Sequence, residues 1–356
     1  MPTRGLVVLA VVTVTTVAAS GIAVDKRYRQ TVLEARGGEV VFPDLRGRTG
    51  GVAVIEVGRG GAAFALERRG DGWANAGLGG YPARVELVET VLSGIADLRY
   101  LEPKTARAAL YPKLRVEDAG PGAGSTPLTL GDGDGGVLAD LVVGKAGPRT
   151  ANADRSGVYI RLPGRERAWL AEGTLDVHRD AGGWSDRGIV DIDARSVRSM
   201  TVRHEDGEVV DLYRAEPADR KLTLRNPPAG AAVAHQHQID YMAGLLKALS
   251  FVDARAGPPS DPAVTPGFEA TVESADHLRV TLRAGNPAED GSLWAAVDAA
   301  VAVDVEASDH ARAEASRIAS QFDGWLLKLP RRISDRLKIR LRDIIGTGSM
   351  GERRKS

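Results

Sequence analysis

Hydrophobic and polar residues alternate in several short stretches, and the same stretches occur twice along the chain. Ile55 and Val57 precede a glycine turn in the first copy, and Met200 and Val202 do so in the second. Alternation with a period of two is typical of half-buried β-strands. From the turn onward the two copies keep a constant offset of 146 residues, in the pairs Gly61 and Gly207, Phe64 and Val210, Leu66 and Leu212, and Arg68 and Arg214.

A helical spacing of apolar residues follows each set of strands. The first run is Val85, Val88, Leu92 and Ile95, and the second is Ile239, Met242, Leu246 and Leu249, at a constant offset of 154. Steps of three, four and three residues place such side chains on one face of a helix. We expect Pro82 to be the first residue of the first helix, where its missing N–H costs nothing, and Leu98 to lie near its end. The duplication predicts an α+β fold of two related sheet-plus-helix units.

The last part of the chain predicts a helix, a strand and a second helix. Ala311, Ala315, Ile318 and Phe322 mark the first helix, with Ser308 as its N-cap. Residues 325–329 form the strand, which Pro330 ends, and residues 333–345 form the final helix. The predicted domains are an anchor or uncleaved signal at 1–24, a stalk at 25–50, the first unit at 51–185, the second unit at 186–300, and a C-terminal cap with a basic tail at 301–356.

The amino terminus contains a long uncharged segment from Gly5 to Val24. A helix of that length crosses a hydrocarbon core of roughly 30 Å, so the fold class includes an N-terminal transmembrane helix. The alternatives are a cleaved signal, with Ala18 and Ser20 before the cut, and a buried helix of a soluble core. Both are less favoured, because the apolar run is longer than a signal core and lacks polar flanks. Basic residues on both sides leave its orientation open.

Charge and composition exclude several classes of function. The chain has 47 basic and 47 acidic residues, so its total charge does not favour nucleic acid as a partner. The basic residues are concentrated at the end, where residues 331–356 contain nine Lys or Arg and three Asp or Glu. Without cysteine there is no disulfide, no thiolate nucleophile and no Cys-ligated metal.

Three motifs resemble ligand sites but are incomplete. His235 and His237 could share a metal, yet no third ligand is evident, because the nearby Asp240 begins a helix. Asp132 and Asp134 occur in a GDGDGG stretch that lacks the remaining ligands of a calcium loop and reads as a hairpin turn. Residues 144–145, Gly-Lys, follow a strand, but the other residues of a phosphate-binding loop are missing. We therefore predict no metal and no cofactor.

Two further clusters have a functional and a structural interpretation. Asp186, Asp191 and Asp193 could serve acid–base chemistry, although turn and cap roles between two domains are more typical of such a cluster. The arginines of the final helix could contact anionic lipid, although Asp335 and Asp343 interrupt the patch and favour a helix with a solvated basic face. No catalytic constellation is visible, so we do not expect an enzyme.

Many weak motifs in a constant order connect the chain to a known family. They are Phe42-Pro43-Asp44-Leu45, Val54-Ile55-Glu56-Val57, Phe64-Ala65-Leu66-Glu67-Arg68, Trp73, Gly80-Tyr81-Pro82-Ala83, Trp169-Leu170, Trp184, Asp186, Ile189-Val190-Asp191-Ile192 and Trp325-Leu326-Leu327-Lys328-Leu329-Pro330. From Val41 to Ile345 the chain resembles the bacterial envelope proteins called domain of unknown function 4340. It departs from their pattern at Arg84, where an acidic residue is usual.

The resemblance implies a single-pass inner-membrane protein whose bulk is extracytoplasmic, in a family often associated with ABC-type transport systems. It implies no catalytic or binding residues. We expect a non-catalytic accessory, scaffold or binding component that contacts the membrane through residues 5–24 and binds transporter subunits. The alternative is an envelope ligand-binding protein or hydrolase with a site between the two units, near Asp186 and Asp191.

Overall fold

The computed structural model describes residues 38–149, 156–216, 219, 221–265, 267–303 and 306–347. The chain forms two compact units, Met1–Asp186 and Arg187–Ser356. In the first unit the elements are β1 (Val52–Val57), β2 (Phe64–Arg69), β3 (Gly72–Asn75), β4 (Tyr81–Pro82), α1 (Val85–Asp97), β5 (Arg99–Pro103), α2 (Tyr111–Leu114), β6 (Thr126–Asp132), β7 (Val137–Arg149), β8 (Ser156–Arg161) and β9 (Ala168–Glu172).

The second unit is built from a similar series of elements. They are β10 (Gly188–Val190), β11 (Val197–His204), β12 (Val209–Tyr213), β13 (Thr223–Leu224), β14 (Ala231–Val233), α3 (Gln236–Ala243), β15 (Leu249–Ser250), β16 (Asp253–Ala256), β17 (Gly267–Ser274), β18 (Leu278–Gly285), β19 (Leu293–Val301), α4 (Asp309–Phe322), β20 (Trp325–Leu329), α5 (Arg331–Leu337), α6 (Leu341–Ile344) and β21 (Ile345–Thr347).

Each unit contains one large antiparallel sheet, and the two sheets have corresponding strand orders. The first runs β4-β3-β2-β1-β6-β7-β8-β9-β5, and the second runs β13-β12-β11-β17-β18-β19-β20-β16. Apart from β4, every strand of the first sheet has a counterpart at the same position of the second. Two small sheets, β10-β15 and β14-β21, complete the second unit.

Matched residues of the sequence repeat occupy equivalent positions in the two sheets. Ile55 lies opposite Leu66, and Met200 lies opposite Leu212.

The matched arginines also make the same contact: Arg68 Nε donates to the Val52 carbonyl at 2.8 Å, and Arg214 Nε donates to the Val197 carbonyl at 3.1 Å. In both units the ladder shifts register directly after that carbonyl, between Val52 and Val54 or between Val197 and Ser199. The arginine therefore satisfies the backbone at an irregularity that would otherwise weaken the central strand.

The main core of the first unit lies between the inner face of its sheet and α1. Val88, Val91 and Ile95 of the helix are fully buried in the same cluster as Ile55 and Leu66. Burying a side chain of this size stabilises the fold by about 1.5–3 kcal/mol. Phe42 and Leu45, within the segment predicted as a stalk, are also buried there.

The predicted fold class, α+β with an N-terminal transmembrane helix, is wrong. The described residues form mostly antiparallel β-sheet in four sheets, with few helices, because glycine turns divide the chain into many short strands. Across those ranges no helix combines the length and apolar character that crossing a membrane requires. The segment predicted to do so, residues 5–24, lies outside the described residues.

Three helix predictions need correction. Pro82 ends the short strand β4, where it pairs with Ala74, and the helix begins only at Val85. The second amphipathic run ends as a helix at Ala243, because Gly244 follows it and Ala248 adopts a φ of +45°. The final helix is divided into α5 and α6 at residues 338–340. By contrast, the Ser308 cap of α4 and the strand β20 are confirmed.

The outer face of each large sheet is partly covered by the connection that crosses it. In the first unit Tyr111 and Val116 of that connection pack on Val142 and Ala168. Successive strand residues point to opposite faces, so Val142 faces outward while Leu141 lies in the main core. In the second unit Val264 packs with Ala296, Leu326 and Trp294. Each covered region is small, which leaves the remainder of the outer face open.

Gly144 allows the connection of the first unit to approach β7. A Cβ at this position would collide with the Leu114 carbonyl and would lie 2.7 Å from Val116 Cγ1. We expect Gly144→Ala to lower the free energy of unfolding of this unit by about 1–3 kcal/mol, the usual cost of overpacking. Hydrogen exchange of amides in β6 and β7 measures this quantity for the first unit alone.

Gly61→Ala is the matched control, since a Cβ there meets nothing within 4 Å. If the two variants exchange at the same rate, the close approach at Gly144 does not constrain the fold.

Candidate functional site

The histidine pair predicted as a metal site lies at the start of α3. His235 and His237 are exposed, and their ring centroids lie 5.8 Å apart. Asp240 accepts a hydrogen bond from Gln236 Nε2 at 3.0 Å. In the part of the chain that the structure describes, no three His, Asp or Glu residues are grouped as metal ligands.

Two glycine-rich motifs have structural roles. Asp132 Oδ1 accepts hydrogen bonds from the backbone N–H of Asp134 at 3.0 Å and of Gly136 at 2.6 Å, which stabilises the β6–β7 turn. This turn confirms the hairpin interpretation of the GDGDGG stretch. Gly144, in the Gly-Lys pair, is a packing position rather than part of a phosphate loop.

The acidic residues that follow the unit boundary stabilise local backbone. Asp191 accepts a hydrogen bond from the Ala248 N–H at 2.9 Å and lies 3.0 Å from Lys247 Nζ. The Ala248 hydrogen bond, with help from Lys247, holds the pKa of Asp191 below its ordinary value. Asp193 Oδ1 accepts from the Arg195 N–H at 3.0 Å and caps a short 3₁₀ turn. These are the contacts of turn and cap residues.

The arginines of α5 contact other parts of the second unit. Arg336 lies over the Tyr241 ring at 4.4 Å from its centroid, and its Nε donates to the Tyr241 carbonyl at 2.9 Å. Arg332 Nη2 donates to the Ala248 carbonyl at 3.1 Å. These contacts show that α5 packs on the rest of the second unit. They favour the structural interpretation of the basic segment over contact with lipid.

The most developed cluster of ionisable groups in the second unit surrounds the turn between β17 and β18. Glu273 Oε1 lies 3.2 Å from His277 Nδ1, and Glu273 Oε2 lies 3.3 Å from Arg279 Nη2. On its other side, His277 Nε2 lies 3.5 Å from Arg198 Nη1. The side chains of Glu273 and His277 are only 16 % and 18 % exposed, so their pairing is largely protected from solvent. The network corresponds to an imidazole that donates from Nδ1 and accepts at Nε2.

The backbone of His277 adopts an unfavourable conformation. Its φ is +69°, in the left-handed region that costs a residue with a Cβ about 1–2 kcal/mol. Three hydrogen bonds hold it there: His277 N–H to the Ser274 carbonyl at 3.0 Å, Ala302 N–H to the His277 carbonyl at 2.9 Å, and Leu278 N–H to Ser274 Oγ at 3.0 Å. Glycine would occupy this position without strain, so the imidazole is present despite an energetic cost.

Two open grooves flank this turn. A groove of about 490 Å³ is lined by His277, Asp276, Ser308 and Arg312, among others. A second groove, of about 310 Å³, crosses the outer face of the sheet and is lined by residues that include Glu273, Arg279, Thr201 and Thr271. Both surfaces are polar, and together they offer hydroxyl, guanidinium and carboxylate groups to a ligand.

Helix α4 is attached to the same turn. Ser308 Oγ accepts from the Ala311 N–H at 3.0 Å and donates to Asp276 Oδ2 at 3.2 Å. Ser274 Oγ also donates to Asp276. Partial burial acts to raise the pKa of Asp276, but the bonds from the two serines outweigh it and lower the pKa. The ionised carboxylate thereby connects the turn to the start of the helix.

Sequence reasoning did not identify this cluster. Glu273, His277, Arg279 and Arg198 form no motif, and His277 was one of several scattered histidines. The available signal was the turn sequence Ser-Ala-Asp between two alternating stretches, which predicts a tight connection. This turn sequence does not indicate that the following residue, His277, contacts Glu273.

Removal of the Ser308 hydroxyl tests the connection between α4 and the turn. We expect Ser308→Ala to destabilise the first turn of α4 by about 1 kcal/mol, because the variant loses the N-cap acceptor. Amide exchange at Ala311 would then accelerate roughly fivefold.

Ser320→Ala is the control, because that hydroxyl only donates to the Arg317 carbonyl of the same helix at 3.1 Å. Equal exchange in the two variants would show that the cap contributes nothing.

Comparison with known proteins agrees with the resemblance found in the sequence. No curated protein matches the chain. No solved structure matches it either. A family model described as a domain of unknown function (DUF4340) matches residues 73–265, which extend from β3 of the first unit into the second. Because that match includes more than half of the chain, the protein belongs to the DUF4340 family.

Proposed function

We propose that this protein is a non-catalytic binding component, an accessory or scaffold subunit of the bacterial envelope. The site that we assign to the partner is the β17–β18 turn with its two flanking grooves. The observation that carries this assignment is His277, a largely buried side chain that lines the first groove in a strained backbone conformation and contacts Glu273 of the second groove. Residues in such backbone conformations cluster at functional sites. Asn226 and Ala248 share the conformation, so the groove beside His277 is what distinguishes this position.

The surroundings of His277 favour binding over nucleophilic chemistry. A catalytic imidazole needs a hydroxyl or a bound water within hydrogen-bond distance of the nitrogen opposite its carboxylate partner. Here the neighbour of Nε2 is the Arg198 guanidinium, which donates and cannot act as a nucleophile. The grooves are also wide and open, whereas sites for small substrates are usually deep and mostly apolar.

The chemistry of the grooves suits a polar protein surface. Arg279, Thr201 and Asp276 present donors and acceptors that a partner can pair, and pairing gives specificity more than it gives affinity. From the family resemblance, the partner that we propose is a subunit of an ABC-type transport system. Location at the inner membrane, with the bulk of the chain extracytoplasmic, stays a prediction from the sequence.

The substitution His277→Gly distinguishes a loss of partner binding from a loss of folding stability. It removes the imidazole with its contacts to Glu273 and Arg198, but it also relieves the left-handed backbone, so these opposing effects should leave the free energy of unfolding within about 1 kcal/mol of the wild type. We expect affinity isolation from crosslinked membranes to recover a transporter subunit with the wild-type protein. Recovery with the variant should fall tenfold or more, equivalent to about 1.4 kcal/mol of binding energy.

Asn226→Gly is the matched control, because Asn226 is exposed, has a φ of +66° and lines neither groove. It should leave recovery unchanged. If the His277→Gly variant recovers the partner as well as the wild type does, the proposed binding site is wrong. If the wild type recovers no specific partner, the proposed binding role is wrong. Recovery of a different, His277-dependent partner would retain the site and refute the transport association.

A further inference from the structure

A second histidine of the same unit has a buried ring that makes no hydrogen bond to any described residue. His204, the last residue of β11, is 3 % exposed, and its ring packs edge-on against Phe268 of β17 with centroids 5.6 Å apart. Among the residues that the structure describes, neither Nδ1 nor Nε2 has a hydrogen-bond partner. A buried polar group that lacks a partner costs free energy even when it is neutral, and a charged one costs far more. The site therefore favours the neutral ring.

An ion-pair cluster next to this ring attaches residues 340 and 341 to the rest of the second unit. Arg340 Nη1 lies 2.6 Å from Asp206 Oδ2 and 3.5 Å from Glu208 Oε2. Glu208 Oε1 also accepts from the Leu341 N–H at 2.9 Å. Asp206 and Glu208 belong to the β11–β12 hairpin, whereas Arg340 and Leu341 lie in residues 339–347, here called the C-terminal clasp.

The clasp has two other attachments. Its strand β21 pairs with β14, with Ala231 opposite Thr347 and Val233 opposite Ile345. Ile339 and Ile344 are buried as the clasp closes on the unit. The pairing involves only three residues in each strand, and the same attachment includes hydrogen bonds from the Ala234 and His235 N–H groups to the Ile344 carbonyl at 2.9 Å and 3.0 Å.

The charges around His204 oppose its protonation on balance. Burial is the largest influence and lowers the pKa of His204, and the neighbouring Arg340 guanidinium lowers it further. Glu208 and Asp206 act in the opposite direction, as does the nearby Ile339 backbone, which does not reach hydrogen-bond geometry. From β17 the uncharged Phe268 packs against the ring.

We propose that His204 is a proton-operated latch for the C-terminal clasp. With the ring neutral, the clasp seats over it, and Arg340 pairs with both hairpin carboxylates. A proton on the ring places a second cation beside Arg340 and leaves two N–H donors without acceptors. The clasp then opens, which exposes the ring to water and frees the Asp206 and Glu208 carboxylates.

The direction of the pH dependence follows from linkage. When the clasp is open the ring is solvated, and its pKa is close to the ordinary value of about 6.5. When the clasp is closed the pKa is lower, so the open form binds the proton more tightly. The closed state therefore has its full stability above about pH 6.5 and loses stability as the pH falls toward the lowered pKa. One proton changes the ratio of open to closed forms by at most tenfold per pH unit.

Hydrogen exchange of the full-length protein tests the latch. Protection factors are measured for the paired amides of β14 and β21 between pH 7.5 and 5.0, above the range in which ordinary Asp and Glu carboxylates titrate. In the wild type they should fall by up to tenfold per unit below pH 6.5. Amides in β17 and β18 should not change, since the main sheet stays closed.

Substitution of the ring gives the decisive comparison. His204→Phe fills the same apolar site without a titrating group, so its clasp protection should be independent of pH. The control His237→Gln replaces an exposed histidine and should keep the wild-type dependence. If His204→Phe does not fold, His204→Gln provides the same test, with a neutral side chain. A wild-type profile without pH dependence, or a substituted protein with unchanged dependence, would overturn the proposal.

Discussion

Each unit depends on the hydrogen-bonded ladder of its central strand, β1 or β11, with one face of that strand in the main core. Ile55 and Met200 are fully buried there, and the strands on both sides are paired to the same positions. Every further strand of the sheet adds to this ladder. The arginine contact at the register shift occurs in both copies, which indicates that the shift is a regular part of the fold.

The two copies differ on their outer faces. By register, the pair Pro127 and Val142 of the first sheet corresponds to Glu269 and Arg283 of the second. Val142 is buried under the crossing connection, whereas Glu269 and Arg283 form an ion pair 3.5 Å apart and remain partly exposed. The second sheet therefore keeps a wider polar surface. The strained turn at His277 lies at the border of that surface.

Two histidines of the second unit show how the same side chain acquires different roles. His277 is near a carboxylate and a guanidinium that contact both ring nitrogens and fix the orientation of the ring. His204 is packed against a ring and an ion-pair cluster that satisfy neither nitrogen, so its protonation state matters to the fold around it. Burial and neighbours set the role, and the residue type alone does not.

The sequence by itself determined the features that depend on local periodicity. The repeated strands, the Ser308 cap, the hairpin at Asp132 and the strand ended by Pro330 all follow from side-chain spacing and turn residues within a few positions. Family membership was also accessible, because the order of many weak motifs survives without knowledge of the fold.

Only the tertiary structure decided where amphipathic runs stop being helical and which polar groups meet. Residues 244–249 satisfy helical spacing, yet they leave the helix because the chain must turn and pair with β10 as β15. Arg340 meets Asp206 across 134 positions of sequence, beside the ring of His204. Such contacts result from strand order and burial. Spacing along the chain carries no information about either one when the partners lie on separate elements.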